Sequence, residues 1–219
     1  MQRVLILSPA RTSGKRAALV FNVRAEFDLA VRLRQPQGVA IGEVFSFLSG
    51  LYFRGKLAYA NFFGRPPSSA APAYVISSDA GLMPSDERVT LERLRAFGQV
   101  PIDPLEPLYS EPLRQSAQKL RAALGAEAEV VLLGSIATNK YVDLLLEQFG
   151  EKLLYPKEFV GRGDMSRGGL LLRAVESGQE LEYLSISAAA ARRGKRPAKL
   201  EPKRPAPRPA PRALKRRTL

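Results

Sequence analysis

Val4-Leu5-Ile6-Leu7-Ser8-Pro9-Ala10-Arg11-Thr12 decides the fold: four consecutive apolar residues run into a serine–proline turn and then a polar loop. A short apolar run closed by a turn signal reads as a strand buried on both faces, here over residues 4–8. The same pattern returns at residues 73–77 and 129–133, each followed by a polar, glycine-bearing loop. Between these runs the periodicity changes to that of helices. A basic, partly helical stretch covers 15–34. The strongest helix covers 43–63, closed by Gly64 and the Pro66-Pro67 break; Gly50 and Gly55 inside it predict close packing or a local break. Further helices are expected over 87–97, 110–124 and 138–149, the last two closed by Gly125 and Gly150. Residues 170–175 and 181–186 read as a hairpin around Ser177-Gly178. Strands alternating with helices predict an α/β protein with a mostly central sheet flanked by helices. The expected organisation is one globular domain over 1–191 and a disordered Lys/Arg/Pro-rich tail over 192–219.

The chain has 219 residues, 45% apolar and 25% charged, which excludes a collagenous or wholly disordered chain. Uncharged apolar runs such as Leu144-Leu145-Leu146 fall far short of the ~20 residues of a membrane span. The first apolar run meets its turn too early for a signal peptide. A cytoplasmic location is expected, compatible with association with the nucleoid, and no membrane partner. Cysteine and histidine are both absent. That removes disulfides, thiolate nucleophiles, Cys/His zinc sites, iron–sulfur clusters, His-ligated haem, Ser-His-Asp triads and zinc deaminases. Acid–base chemistry must fall to Asp, Glu, Lys or Tyr. No cofactor is expected; a metal, if any, would be a hard cation held by oxygens, which points to Mg²⁺.

The net charge of +13 is unevenly spread. From Arg192 to Leu219, twelve Lys/Arg stand against the single acid Glu201, whereas residues 1–191 carry 22 basic and 20 acidic groups. Six prolines interrupt the tail, so a helix is forbidden and no apolar run exists to form a core. An extended cationic arm of this kind, including Arg192, Arg193, Lys195, Arg196, Lys203 and Arg204, suits DNA or RNA phosphates and carries no base specificity itself. A solubility, localisation or protein-docking segment is the plainer reading.

Ligands of open α/β sheets collect outside the carboxyl ends of the strands. The first loop there offers Ser8, Arg11, Lys15 and Arg16. The third offers Gly134, Ser135, Thr138, Lys140 and Tyr141, a set able to cradle a phosphate. Neither has P-loop spacing, and a plain Ser/Thr helix cap would explain the third. The second loop places Asp79 and Asp86 near Ser78, as a base or Mg²⁺ ligands, with Asp86 as an ordinary helix cap the alternative. In Gly161-Arg162-Gly163-Asp164-Met165-Ser166-Arg167-Gly168-Gly169, two guanidiniums could grip phosphate around Asp164; a turn held by an Asp164–arginine pair is the alternative. Leu48, Tyr52, Lys56, Tyr59 and Phe63 form a helical stripe, either a stacking-and-phosphate platform or core with a snorkelling lysine.

Five segments together resemble the YaaA family of bacterial peroxide-stress proteins. Ile6-Leu7-Ser8-Pro9-Ala10-Arg11-Thr12 is similar to the family's I-S-P-A-K-T opening, and residues 49–55 to its glycine–tyrosine–arginine–glycine segment. Residues 76–86, with Gly81-Leu82-Met83-Pro84 and Asp86, are similar to its S-x-x-x-G-L-L-x-P-x-D. Val130-Val131-Leu132-Leu133-Gly134-Ser135 with Lys140-Tyr141 resembles its V-V-N-L-A-S-x-E-Y, with Lys140 where the family has an acid. Gly161-Arg162-Gly163-Asp164-Met165-Ser166-Arg167 resembles its A-R-G-x-M-A-R. The five occur in the same order over residues 6–167. The resemblance implies an α/β, DNA-binding stress-response protein whose body surface includes Arg11, Tyr52, Arg54, Ser78, Asp86, Ser135, Tyr141, Arg162 and Arg167.

Three functions compete. The first is a nucleic-acid-binding protein, DNA foremost, using the arm and the strand-end loops. The second is an enzyme acting on a nucleobase or nucleotide, of glycosylase or transferase type, with Asp164, Asp86 or Asp79 as acid or base. The third is an adaptor for an acidic protein. The sequence leaves the oligomeric state open.

Overall fold

The computed structural model describes residues 1–188 together with 194, 195, 197, 198 and 200. In chain order the elements are β1 (Arg3–Leu7), α1 (Lys15–Phe21), α2 (Asp28–Leu33), β2 (Val39–Ala40), α3 (Ile41–Ser49), α4 (Leu51–Phe63), β3 (Ala73–Ile76), β4 (Leu82–Pro84), β5 (Arg88–Val89), α5 (Leu91–Phe97), α6 (Pro107–Ala123), β6 (Glu129–Leu133), α7 (Val142–Phe149), β7 (Leu153–Pro156), α8 (Asp164–Ser177) and β8 (Tyr183–Ser185). Six strands form one sheet in the order β4-β3-β1-β6-β7-β8. The inner four are parallel and the two edges antiparallel. β2 and β5 pair separately.

Because strand side chains alternate between faces, β1 feeds two cores. Leu5 and Leu7 pack with Val131, Leu133 and the buried sides of α3, α4, α5 and α8. Val4 and Ile6 pack with Val130, Leu132, α6 and α7 on the other face. After β1 the chain leaves toward the first layer, and after β6 toward the second. Neighbouring parallel strands whose connections part in this way open a crevice at their carboxyl ends.

The α/β sheet flanked by helices is as the sequence predicts, with several boundaries corrected. The 43–63 helix is two helices, broken at Gly50, whose φ of 65° is left-handed territory open to glycine. The 15–34 stretch is likewise two short helices. The 87–97 helix begins only at Leu91: Arg88–Val89 is drawn into pairing with β2, and Thr90, not Asp86, caps the helix by accepting the Arg93 N–H. The 138–149 helix begins at Val142. The expected hairpin is wrong in its first half. Residues 170–175 lie inside α8, where straight-chain helix formers dominate and Arg167, Leu171 and Ala174 are buried at helical spacing. Its end is set by Gly178 in the left-handed conformation. The second half does form a strand, β8, paired with β7, a strand that its mixed Leu-Leu-Tyr-Pro sequence did not announce.

α4 and α8 cross at unusually close range because each contributes a glycine. A Cβ on Gly55 would stand 2.7 Å from the Gly168 carbonyl oxygen, and one on Gly168 would stand 2.8 Å from both Leu51 O and Tyr52 Cα. This contact seats Tyr52 and Lys56 of α4 beneath the first turn of α8. Among the described residues, no helix is long and apolar enough to cross a membrane.

Candidate functional site

A cleft of about 880 Å³ lies at the carboxyl ends of β1 and β6. The loop after β1 supplies Ser8, Arg11 and Thr12, and the start of α1 adds Lys15 and Arg16. The loop after β6 supplies Ser135, Thr138, Lys140 and Tyr141. Tyr52 of α4, Asp164 at the start of α8, and an apolar wall of Phe97, Val100 and Ile102 complete it. Ten of the sequence-predicted site residues thus meet in one cavity: Ser8, Arg11, Lys15, Arg16, Tyr52, Ser135, Thr138, Lys140, Tyr141 and Asp164.

Its mouth is cationic. Arg11, Lys15, Arg16 and Lys140 are exposed and make no ion pair with any described residue. Arg16 is held in place as its guanidinium donates to the Phe47 carbonyl, 3.0 Å away, beside Gly50. The carboxylate facing these cations is Asp164, with 72% of its side chain exposed. Its nearest partner, Arg167, stands 3.8 Å away at i,i+3.

The floor is polar and tightly connected. Lys56 is 1% exposed, yet it does not snorkel. Its Nζ lies 2.5 Å from the Ser8 carbonyl oxygen and 2.9 Å from Ser8 Oγ, with the Tyr52 and Phe53 rings 4.6 and 4.5 Å from it. Burial pushes the amine down to about 7; Asp164 opposes the shift and Arg167 adds to it. Ser8 also faces the Tyr141 phenol, whose oxygen accepts the Ser135 N–H at 2.9 Å. Burial holds the Tyr141 and Tyr52 phenols above their ordinary range. Gly134 lies behind this group: a Cβ there would meet Tyr141 Oη at 2.7 Å and Ser8 Cβ at 3.0 Å. The structure gives Gly134 a packing role here. Absence of a side chain lets the two loops close on each other.

The remaining predicted residues lie elsewhere. Asp79 is engaged by both terminal nitrogens of Arg93, at 2.8 and 2.9 Å, outside the cleft. Asp86 is exposed in the turn after β4 and Arg54 is exposed on α4; neither lines the cleft. Ser78 is buried and donates to the Phe97 carbonyl. The two arginines expected to grip one phosphate do not converge. Arg167 is buried, donating twice to the Phe159 carbonyl and stacking over the Phe159 ring. Arg162 bonds Ser166 Oγ and the Ala198 carbonyl. Arg162 precedes α8 whereas Arg167 lies inside it, and each is engaged by its own partners. Lys195 is exposed. Arg192, Arg193, Arg196, Lys203 and Arg204, with the expectation of a disordered tail, lie outside the described residues.

Sequence reasoning placed Lys56 in a stripe and missed its role beneath Ser8. A signal existed: a lone lysine among Tyr52, Phe53 and Tyr59, next to a glycine, is a poor candidate for a solvated face. Among the described residues no three acidic side chains cluster so as to hold a metal ion. Compared with family models, curated proteins and solved structures, the chain matches none.

Proposed function

We propose that the chain binds nucleic acid, DNA foremost, with phosphates lodged in the cleft and the C-terminal cations adding a second, sequence-independent hold. The observation that carries this reading is the set of four cations, Arg11, Lys15, Arg16 and Lys140, that have no ion-pair partner among the described residues and stand around the mouth of one polar-floored cleft. Uncompensated cations at the end of a parallel sheet attract an anion, and an apolar wall beside them accommodates a base or sugar. The resemblance to the YaaA family points the same way, and a stress-response role rests on that resemblance alone.

Fluorescence anisotropy with labelled single-stranded DNA, duplex DNA and RNA tests the reading. Binding should weaken steeply with salt; if about six cations engage, the log–log slope is near −5. Arg11→Glu with Lys15→Glu should lower affinity at least tenfold. Neutralising Lys203, Arg204, Arg208 and Arg212 to glutamine in the full chain should flatten the slope. No binding to any of the three polymers at low ionic strength overturns the proposal.

A second reading is favoured by Asp164, an exposed carboxylate in the same cleft: an enzyme acting on a nucleobase or nucleotide, with Asp164 as acid or base. Asp164→Asn should then abolish turnover while sparing binding. Asp79 and Asp86, outside the cleft, drop from that role.

A further inference from the structure

We infer that Ser8 is a nucleophile activated by Lys56, and that the cleft cleaves or transfers an anionic phosphate ester held by its cationic mouth. This rests on the phosphate-binding reading above and gives it a chemistry. A serine hydroxyl is a weak nucleophile unless a base within hydrogen-bond reach takes its proton. Lys56 Nζ is 2.9 Å from Ser8 Oγ and also 2.5 Å from the Ser8 carbonyl oxygen. As an ammonium, Lys56 donates to both oxygens; once it is neutral, one N–H keeps the carbonyl and the lone pair is left facing the hydroxyl at the same distance. Serine sits at the end of β1 and opens onto the cleft, while the amine is sealed behind it by the Tyr52 and Phe53 rings. Ser8, itself 7% exposed, lines the cleft, whereas Lys56, 1% exposed, does not.

The charged groups acting on Lys56 both come from α8: Asp164 favours the ammonium and Arg167 the amine. Tyr52 from its own helix and Tyr141 before α7 are held protonated by burial. Burial thus decides the balance and lowers the amine to about 7, so that charged and neutral forms are both present near pH 7. In the step proposed, the Ser8 Oγ–P bond forms as the bond from phosphorus to the leaving oxygen breaks. The hydroxyl proton passes to Lys56, and the leaving oxygen is protonated by water. The hydroxide left by that water then cleaves the Oγ–P bond and Lys56 returns its proton to the Ser8 oxygen, so one water is consumed per ester.

The full-length protein is incubated with an alkyl fluorophosphonate, in which Oγ–P forms, fluoride leaves and the proton goes to Lys56. The adduct is located by peptide mass spectrometry. One adduct on Ser8 is expected, at a rate that rises through pH 6–7 and levels above about 8. It should be absent in Ser8→Ala and at least 100-fold slower in Lys56→Met. An oligonucleotide or a mononucleotide should slow labelling, and whichever does so separates a polymer substrate from a free nucleotide. No adduct on Ser8 at any pH, or an unchanged rate in a folded Lys56→Met, overturns the inference. If Lys56→Met does not fold, the wild-type rate against that of the urea-unfolded chain decides, and equal rates overturn it. Strand binding is scored separately. Binding without labelling defeats the dyad alone, and labelling without binding defeats the nucleic-acid reading alone.

Discussion

Three loops leave carboxyl ends of the parallel strands with similar composition, yet two of them face outward and one faces itself. After β1 and β6, hydroxyls and cations line an open cleft. After β3, Ser77 Oγ bonds the Gly81 carbonyl and accepts the Ala80 N–H, Ser78 Oγ bonds the Phe97 carbonyl, and Asp79 pairs with Arg93. The difference comes from the element to which each loop leads. The β3 loop returns at once into the antiparallel strand β4, and Gly81, at φ 69°, packs against Pro112 and Ser116. The other two loops run to helices on opposite faces of the sheet, so their polar groups are left with space between them. A polar strand-end loop is a candidate site only when the topology keeps its neighbours apart.

The open loops should suffer most where the cleft floor is assembled. Gly168→Ala places a Cβ 2.8 Å from the backbone of Leu51 and Tyr52, which must shift because no flexible side chain can yield. A loss of about 2–3 kcal/mol is expected, read from urea midpoints, with weaker strand binding as Tyr52 moves. Its neighbour is the control. Among the described residues a Cβ on Gly169 meets only Leu200 Cδ1, at 3.5 Å, so Gly169→Ala should be neutral or stabilise by up to ~1 kcal/mol.

The same glycines mark the limit of what was legible in the sequence. Buried runs at β1, β3 and β6 announce themselves because a strand covered on both faces has no polar alternation, and the loops after them are then located directly. Gly50 and Gly55 were readable as marking close packing or a local break, without saying which was which; the break falls at Gly50 and the close contact at Gly55. The fate of residues 170–175 was not readable: a Leu-rich run suits strand or helix, and only the packing of α8 on α4 decides. Nor could spacing show that Asp79 has Arg93 beside it, fourteen residues on, or that Lys56 lies under Ser8, forty-eight residues away. Local pattern gave the loops; tertiary pairing chose among them.

Lys56 sharpens the contrast through pH. Its folded-state value lies below its ordinary 10.5, so between about 7 and 10.5 the unfolded chain holds a proton that the folded chain lacks. Stability from this group is therefore full above the unfolded value and is lost as pH falls toward 7, with a slope of at most ~1.4 kcal/mol per pH unit. Across pH 7–9, wild-type urea stability should rise relative to Lys56→Met. A flat difference would mean that the amine stays charged. That result would remove the base from the cleft, although the lysine could still tie β1 to α4.

The smallest effects should come from the loop that closes on itself. Ser78→Ala removes one buried hydrogen bond to Phe97 and leaves that carbonyl without it, for about 1 kcal/mol. Asp79→Asn loosens a pair in which Arg93 is 40% exposed, and solvent screening holds the cost below ~1 kcal/mol. Neither residue lines the cleft, so strand affinity in anisotropy should stay within twofold of wild type for both. A tenfold loss on Asp79→Asn would place the β3 loop on the binding surface after all. The distinction between open and self-satisfied loops would then fail as a guide to where ligands bind, because the Asp79–Arg93 pair would be acting on the ligand while fully occupied with itself.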